Sequence, residues 1–211
     1  MVAATLGWPF FYLRKRLTMF TVLKRFVVLL FCVVASLSHA QDLQAGKVTA
    51  AVCSACHGED GNAVIPGYPT LAGQTWRYIY MQLKDYKEGR RSHPIMTAMA
   101  SNLSRAEMTT VANYFAGFPL KPNGFVADEA KVKLGKAKAD ETLCTMCHLG
   151  GFSGQNEIPR VAGQQYDYVV EQLRNFKART RTNDAGNMTS VAQTLSDTDI
   201  ENLGHYISSI R

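Results

Sequence analysis

The chain has 211 residues, with 23 basic against 17 acidic side chains and a formal net charge of +6. Five of the basic residues (Arg14, Lys15, Arg16, Lys24 and Arg25) precede the first acidic one, Asp42, so the remainder carries 18 against 17, and the charge is no argument for nucleic acid as a partner. Of five cysteines, Cys32 lies in that leading stretch and the other four stand in two short motifs, which leaves none for a disulfide.

Residues 1–40 read as a secretory signal peptide. The basic region is followed by a continuous apolar run, 26–37, and by Ser38-His39-Ala40, a small-x-small cleavage pattern. The run is short for a membrane span, which needs about 20 apolar residues. A start at Met19 would give a leader of ordinary length; the competing reading is an uncleaved anchor. Cys32 lacks the preceding small residue that a lipid anchor would want.

The rest of the chain, 41–211, reads as one pattern written twice. A first helix over 42–55 runs into Cys53-Ser54-Ala55-Cys56-His57, and its counterpart over 129–146 runs into Cys144-Thr145-Met146-Cys147-His148. C-x-x-C-H is the attachment signature of c-type haem. Its two thiols share one helical turn and add to the two vinyl groups of one porphyrin, and the adjacent His becomes the proximal iron ligand. Two covalent haems c are therefore expected, held by Cys53, Cys56, Cys144 and Cys147, with His57 and His148 on iron. Pro69-Thr70-Leu71-Ala72-Gly73-Gln74 recurs as Pro159-Arg160-Val161-Ala162-Gly163-Gln164, and a backbone carbonyl at Pro69 or Pro159 is placed to accept the proximal His N–H.

Helical stripes follow at 76–87, with Ile79, Leu83 and Tyr86, and at 165–177, with Tyr168, Val169, Leu173 and Phe176. The last helix of each copy starts at a capping box, Ser104 with Glu107 and Ser196 with Asp199. Val111, Tyr114 and Phe115 form the buried face of the first, and Leu203, Tyr206, Ile207 and Ile210 that of the second. Between the copies, within 117–126, the run 118–124 carries two Pro and a Gly in close order and reads as an extended linker short enough to keep the domains in contact or nearly so. The expected organisation is a signal peptide over 1–40, domains over 41–118 and 128–211, and a linker over 119–127. The class is all-α. Copies this small have thin cores, and a buried haem staples each. Trp76 and the tyrosines at 78, 86, 114, 166, 168 and 206 are expected to pack in the haem core.

The sixth ligand follows by elimination. In the second copy Met146 lies inside the haem motif and His205 mid-helix, which leaves Met188, in a loop just before the last helix. In the first copy Met96 and Met99 share the matching loop. Met96 keeps the register of Met188: each is followed by Thr, and each stands equally far before a Leu-Ser pair, Leu103-Ser104 or Leu195-Ser196. Met96 is therefore the expected ligand and Met99 a packing residue. His93, just before Pro94, reads as a loop residue, with a bis-His haem as the alternative. His/Met ligation raises the potential relative to bis-His and leaves no open position on iron, which suits one-electron transfer and argues against catalysis at iron.

The doubled pattern resembles the dihaem cytochrome c4 family across nearly the whole of 41–211, through C-x-x-C-H-G at 53–58, the P-x-L-A-G-Q run at Pro69, Q-L at Gln82, M-T-x-M at Met96, their second-copy counterparts, and Arg181-Thr182-Asn183-Asp184. The resemblance implies a tandem duplication of a class I cytochrome c domain, with a pseudo-twofold axis and the haem propionate edges facing each other. It implies a periplasmic electron carrier, not an enzyme, often peripherally attached to a membrane, that passes electrons from a quinol-oxidising complex to a terminal oxidase. Leu149 replaces Gly after the second motif, a departure that alters a loop and leaves the chemistry untouched. The alternative is a dihaem subunit of a larger dehydrogenase such as a flavocytochrome; a dihaem peroxidase is disfavoured because both copies offer a Met.

Overall fold

The computed structural model describes residues 44–211 and, before them, Lys24; the signal-peptide reading, with its Met19 start and Cys32, lies outside the described residues. Residues 45–211 form one compact unit. Among the described residues the chain is helical, with no strand and one isolated bridge between Gln155 and Ile158. Helix α1 covers 44–57, followed by α2 (Trp76–Lys87), α3 (Pro94–Ser101) and α4 (Arg105–Ala116). The second copy holds α5 (Glu129–Glu141), α6 (Cys144–His148), a short turn at Gly150–Phe152, α7 (Tyr166–Lys177), α8 (Asn187–Gln193) and α9 (Asp197–Ser209).

Each copy has its own core. Ile79, Leu83 and Tyr86 of α2 meet Val111, Tyr114 and Phe115 of α4 in the first. Val169 and Leu173 of α7 meet Ile200, Leu203 and Ile207 of α9 in the second, with Tyr206 and Ile210 half-buried against them. Full burial of such side chains stabilises by roughly 1.5–3 kcal/mol each. Both capping boxes form: the Ser104 and Ser196 hydroxyls accept the Glu107 and Asp199 backbone N–H, and each carboxylate accepts its serine's N–H. These satisfy donors that the first helical turn leaves unpaired.

The structure corrects three expectations. The helix expected over 129–146 breaks at Thr142–Leu143, where Leu143 adopts a left-handed φ of 56°, so the haem motif occupies a separate five-residue helix. The segments carrying Met96 and Met188 are helices, not loops. α3 is primed by Pro94 at its first turn and capped by His93, whose Nδ1 accepts from the Ile95 and Met96 N–H, both at 3.3 Å. In α8 Asp184 accepts the Thr189 N–H at 2.6 Å. Trp76 is no core residue; it is 43% exposed. Tyr78 and Tyr168, half-buried, point their hydroxyls across the boundary between the copies.

Within the segment expected as linker, Asn62 holds Lys121 N–H and the Pro119 carbonyl to the first copy. Asn123 donates to the Gly163, Gln164 and Ser208 carbonyls of the second. Phe125 stacks on Tyr166 with ring centroids 4.9 Å apart. The two copies are in direct contact.

Candidate functional site

Helix α1 delivers Cys53, Cys56 and His57 to one wall of a cavity of about 550 Å³, and α3 delivers Met96 and Met99 to the same cavity. That volume lies in the ordinary range for a cofactor pocket. His57 is 5% exposed, and its Nδ1 lies 2.8 Å from the Pro69 carbonyl. A carbonyl only accepts, so Nδ1 carries the proton and Nε2 keeps its lone pair free for a metal. Burial pushes the His57 pKa down, and the Pro69 bond only partly restores it, so the ring is neutral. Burial pushes the Cys53 thiol up.

The second copy repeats the arrangement. His148 is buried, and its Nδ1 donates to the Pro159 carbonyl at 2.9 Å. Burial again lowers its pKa. Cys144 and Met188 pack against the second core as Cys53 and Met96 pack against the first. Cys147 lies exposed at the surface, and Met146, 72% exposed, turns away from the core. All four cysteines of the motifs are free thiols, available for thioether formation. His205 is engaged elsewhere: its Nδ1 accepts the Asp128 N–H at 3.1 Å while its ring packs on Phe125 and Tyr166.

The cavity of the first copy also touches Tyr168, Gln172 and Arg181 of the second. There Arg91 donates to Gln82 at 2.8 Å, to Gln172 at 2.8 Å and to Tyr168 Oη at 3.0 Å. Arg181 answers with Gln172 at 2.9 Å, Gln82 at 3.2 Å and Tyr78 Oη at 3.0 Å. Arg91, Gln82 and Tyr78 have Arg181, Gln172 and Tyr168 as their counterparts at one constant offset along the chain. Two guanidiniums at the edge of a haem-sized cavity supply the donors and charge that porphyrin carboxylates require. A neutral imidazole with a free Nε2, paired free thiols, a thioether and this cationic edge fit a covalently attached haem.

Sequence reasoning passed over Arg91, met Arg181 only within a family run, and used Gln74 and Gln164 only as markers of the repeat. It also missed Gly46 and Gly135. A Cβ on Gly46 would meet the Tyr114 ring at 2.7 Å, and one on Gly135 would meet the Asn202 carbonyl oxygen at 2.1 Å, so each marks a close helix crossing. The available signal was a glycine inside a helical stripe, recurring at close to the offset of the repeat.

The family model described as Cytochrome c matches residues 43–117 and 132–211. Cytochrome c4 of Pseudomonas aeruginosa is 39% identical over 184 residues, which cover 82% of this chain and 92% of that protein. The thiosulfate dehydrogenase electron acceptor of Thiomonas intermedia is 32% identical over 76% of this chain and 79% of that protein. The solved structure of reduced recombinant cytochrome c4 from Pseudomonas stutzeri matches with a TM-score of 0.74 at 36% identity, over 80% of this chain and 98% of that one. With a cytochrome c domain matched twice in one chain, and a covalently bound haem c in each, this protein belongs to the dihaem cytochrome c4 family.

Proposed function

We propose that the protein is a periplasmic electron carrier whose two haems are each held between a His and a Met, His57 with Met96 and His148 with Met188, and anchored through Cys53 and Cys56 and through Cys144 and Cys147. The observation that carries this reading is the matched pair of half-sites: a buried His tied through Nδ1 to a Pro carbonyl, with a Cys and a Met packed against the same core, once in each copy. Each bound haem supplies one electron-transfer step between ferrous and ferric iron. The protein orients the proximal ring, offers a thioether opposite it, and places Arg91 and Arg181 where carboxylates need charge. With a His and a Met both given over to holding each haem, neither copy would leave the iron free to take a substrate, and no catalytic residue is assigned.

The domains are taken as 41–118 and 128–211, joined by 119–127. The donor is a quinol-oxidising complex and the acceptor a terminal oxidase, reached from the periplasm or from peripheral attachment to a membrane. Among the described residues no helix is long and apolar enough to cross a membrane. A second reading, service as the electron-accepting partner of a dehydrogenase, is favoured by the likeness to the Thiomonas thiosulfate dehydrogenase electron acceptor.

The ferric holoprotein is expected to show the weak near-infrared band of methionine-to-iron charge transfer. Met96→Ala and Met188→Ala are each expected to remove about half of it, and the double variant all of it. A band that survives either substitution at full strength overturns the ligand assignment. Faster reduction by a thiosulfate-oxidising enzyme than by a quinol-oxidising complex would decide for the second reading.

A further inference from the structure

Gln74 and Gln164 are both 5% exposed, and each crosses into the other copy. Gln164 Oε1 accepts the Thr70 N–H at 2.7 Å, and its Nε2 donates to the Thr70 carbonyl at 3.0 Å. Gln74 makes the same pair of bonds to Arg160, with Oε1 to N–H at 2.7 Å and Nε2 to the carbonyl at 2.8 Å. Neighbouring backbone fixes both amides, because Gln74 Oε1 also takes the Thr75 N–H and Gln164 Oε1 the Gln165 N–H.

The N–H of Thr70 and the carbonyl of Pro69 are two ends of one peptide unit, and that carbonyl is the one His57 Nδ1 donates to. The N–H of Arg160 and the carbonyl of Pro159 are likewise one unit, bonded to His148. A hydrogen bond accepted from a peptide N–H pushes electron density onto its carbonyl oxygen, and hydrogen bonds in such chains strengthen one another by roughly 10–30% each. A stronger acceptor gives the proximal imidazole more anionic character and favours ferric iron, the established effect of outer partners on a ligating His.

We infer that Gln164 tunes the haem held by His57 and Gln74 tunes the haem held by His148, so that each copy sets the potential of the other through one side-chain amide and one peptide unit. Both are positioning residues acting through a backbone carbonyl. The inference rests on the assignment of His57 and His148 as proximal ligands. The wiring is reciprocal, and it makes each haem sensitive to the docking of the two copies. At this bridge the copies differ at one position: Arg160, where the first copy has Thr70, is a buried cation bonded to the carbonyls of Ala72, Gly73 and Ala162. The bonds from the two glutamines are nonetheless the same.

The test is a redox titration of the holoprotein in which the ring-methyl NMR resonances of each haem report its own potential. In Gln164→Met the potential of the His57 haem is expected to rise while that of the His148 haem stays in place, and Gln74→Met is expected to do the reverse. A shift in the variant's own copy, an equal shift of both haems in each variant, or no shift overturns the inference. An equal shift would mark the glutamines as simple interface staples. Where a Met variant fails to load both haems, Gln→Asn, which withdraws the amide by one methylene, is read by the same pattern. In the unaltered holoprotein, amide exchange at Thr70 or Arg160 as fast as at exposed loop positions would also overturn it. The near-infrared band, measured alongside, separates the outcomes: its loss would point to failure of the ligand assignment, and its survival with unmoved potentials to failure of this inference alone.

Discussion

Leu149 sits at φ 66° and ψ 172°, directly after the second haem motif, where the first copy has Gly58 at φ 82°. That region of backbone space is open to glycine and strained for a branched side chain, at a cost of order 1–3 kcal/mol. In the sequence the change reads as a harmless loop alteration; in the structure it is energetically one of the less comfortable residues of the chain. Leu149→Gly is expected to stabilise the holoprotein by about 1 kcal/mol, the relief of strain exceeding the extra chain entropy of glycine. Thermal unfolding followed at the haem absorbance would show it as a raised midpoint; an unchanged or lowered midpoint would mean that packing of the half-buried leucine side chain offsets the strain. At the same scale the two proximal histidines show what one hydrogen bond decides. The Pro69 and Pro159 carbonyls fix which ring nitrogen carries the proton, and so which one faces the cofactor.

Among the elements, the crossing of α5 over α9 has the least room. Gly135 lies where any Cβ would stand 2.1 Å from the Asn202 carbonyl oxygen and 2.8 Å from Tyr206 Cβ. An alanine favours the helix by roughly 1 kcal/mol. Overpacking against backbone costs about 1–3 kcal/mol, and here the clash is with atoms that cannot rotate away. Gly135→Ala is therefore expected to destabilise by about 2 kcal/mol net, readable as a shifted denaturant midpoint. The capping box of α4 gives a pH dependence. Bonds from the Ser104 hydroxyl and N–H hold the Glu107 carboxyl below its ordinary value of 4.5. A depressed acid adds stability that is present above the unfolded value and is lost as the pH falls through the folded one. Stability should therefore decline below about pH 4.5, and the decline should be shallower in Glu107→Gln. Equal acid slopes for the two proteins would remove the capping box from the account of acid unfolding.

For the molecule as a whole, the boundary between the copies is polar and paired. Arg91 and Arg181 share Gln82 and Gln172 and each takes the other copy's tyrosine. Asn183 adds bonds to Gln82 at 2.9 Å and Asp85 at 2.6 Å. Hydrogen bonds to charged groups contribute about 1.5–3 kcal/mol each, and removing one partner also leaves buried acceptors bare. Arg181→Ala is expected to cost about 2–4 kcal/mol and to split a single calorimetric transition into two, one per copy. A single transition of unchanged width would mean that the copies are coupled through Gln74 and Gln164 without help from this network.

The haem motifs, the duplication, the helices that carry the core stripes, both capping boxes and the two Pro carbonyls beneath the histidines were all legible in the linear chain. The motifs, stripes and caps depend on residues a few positions apart, under the local rules of periodicity and capping, and the duplication shows as the same pattern written twice. Those rules misjudged short segments and element boundaries. The methionine segments are helices, with His93 capping α3 and the Asp184 carboxylate accepting the Thr189 N–H in the first turn of α8, and α5 stopped short of its motif at a left-handed leucine. What joins the copies emerged only on folding. The bonds of the arginine network run between residues as many as 103 positions apart, and those of Gln164 span 94. No spacing in a chain announces such pairs, because which surfaces meet depends on how two complete cores dock.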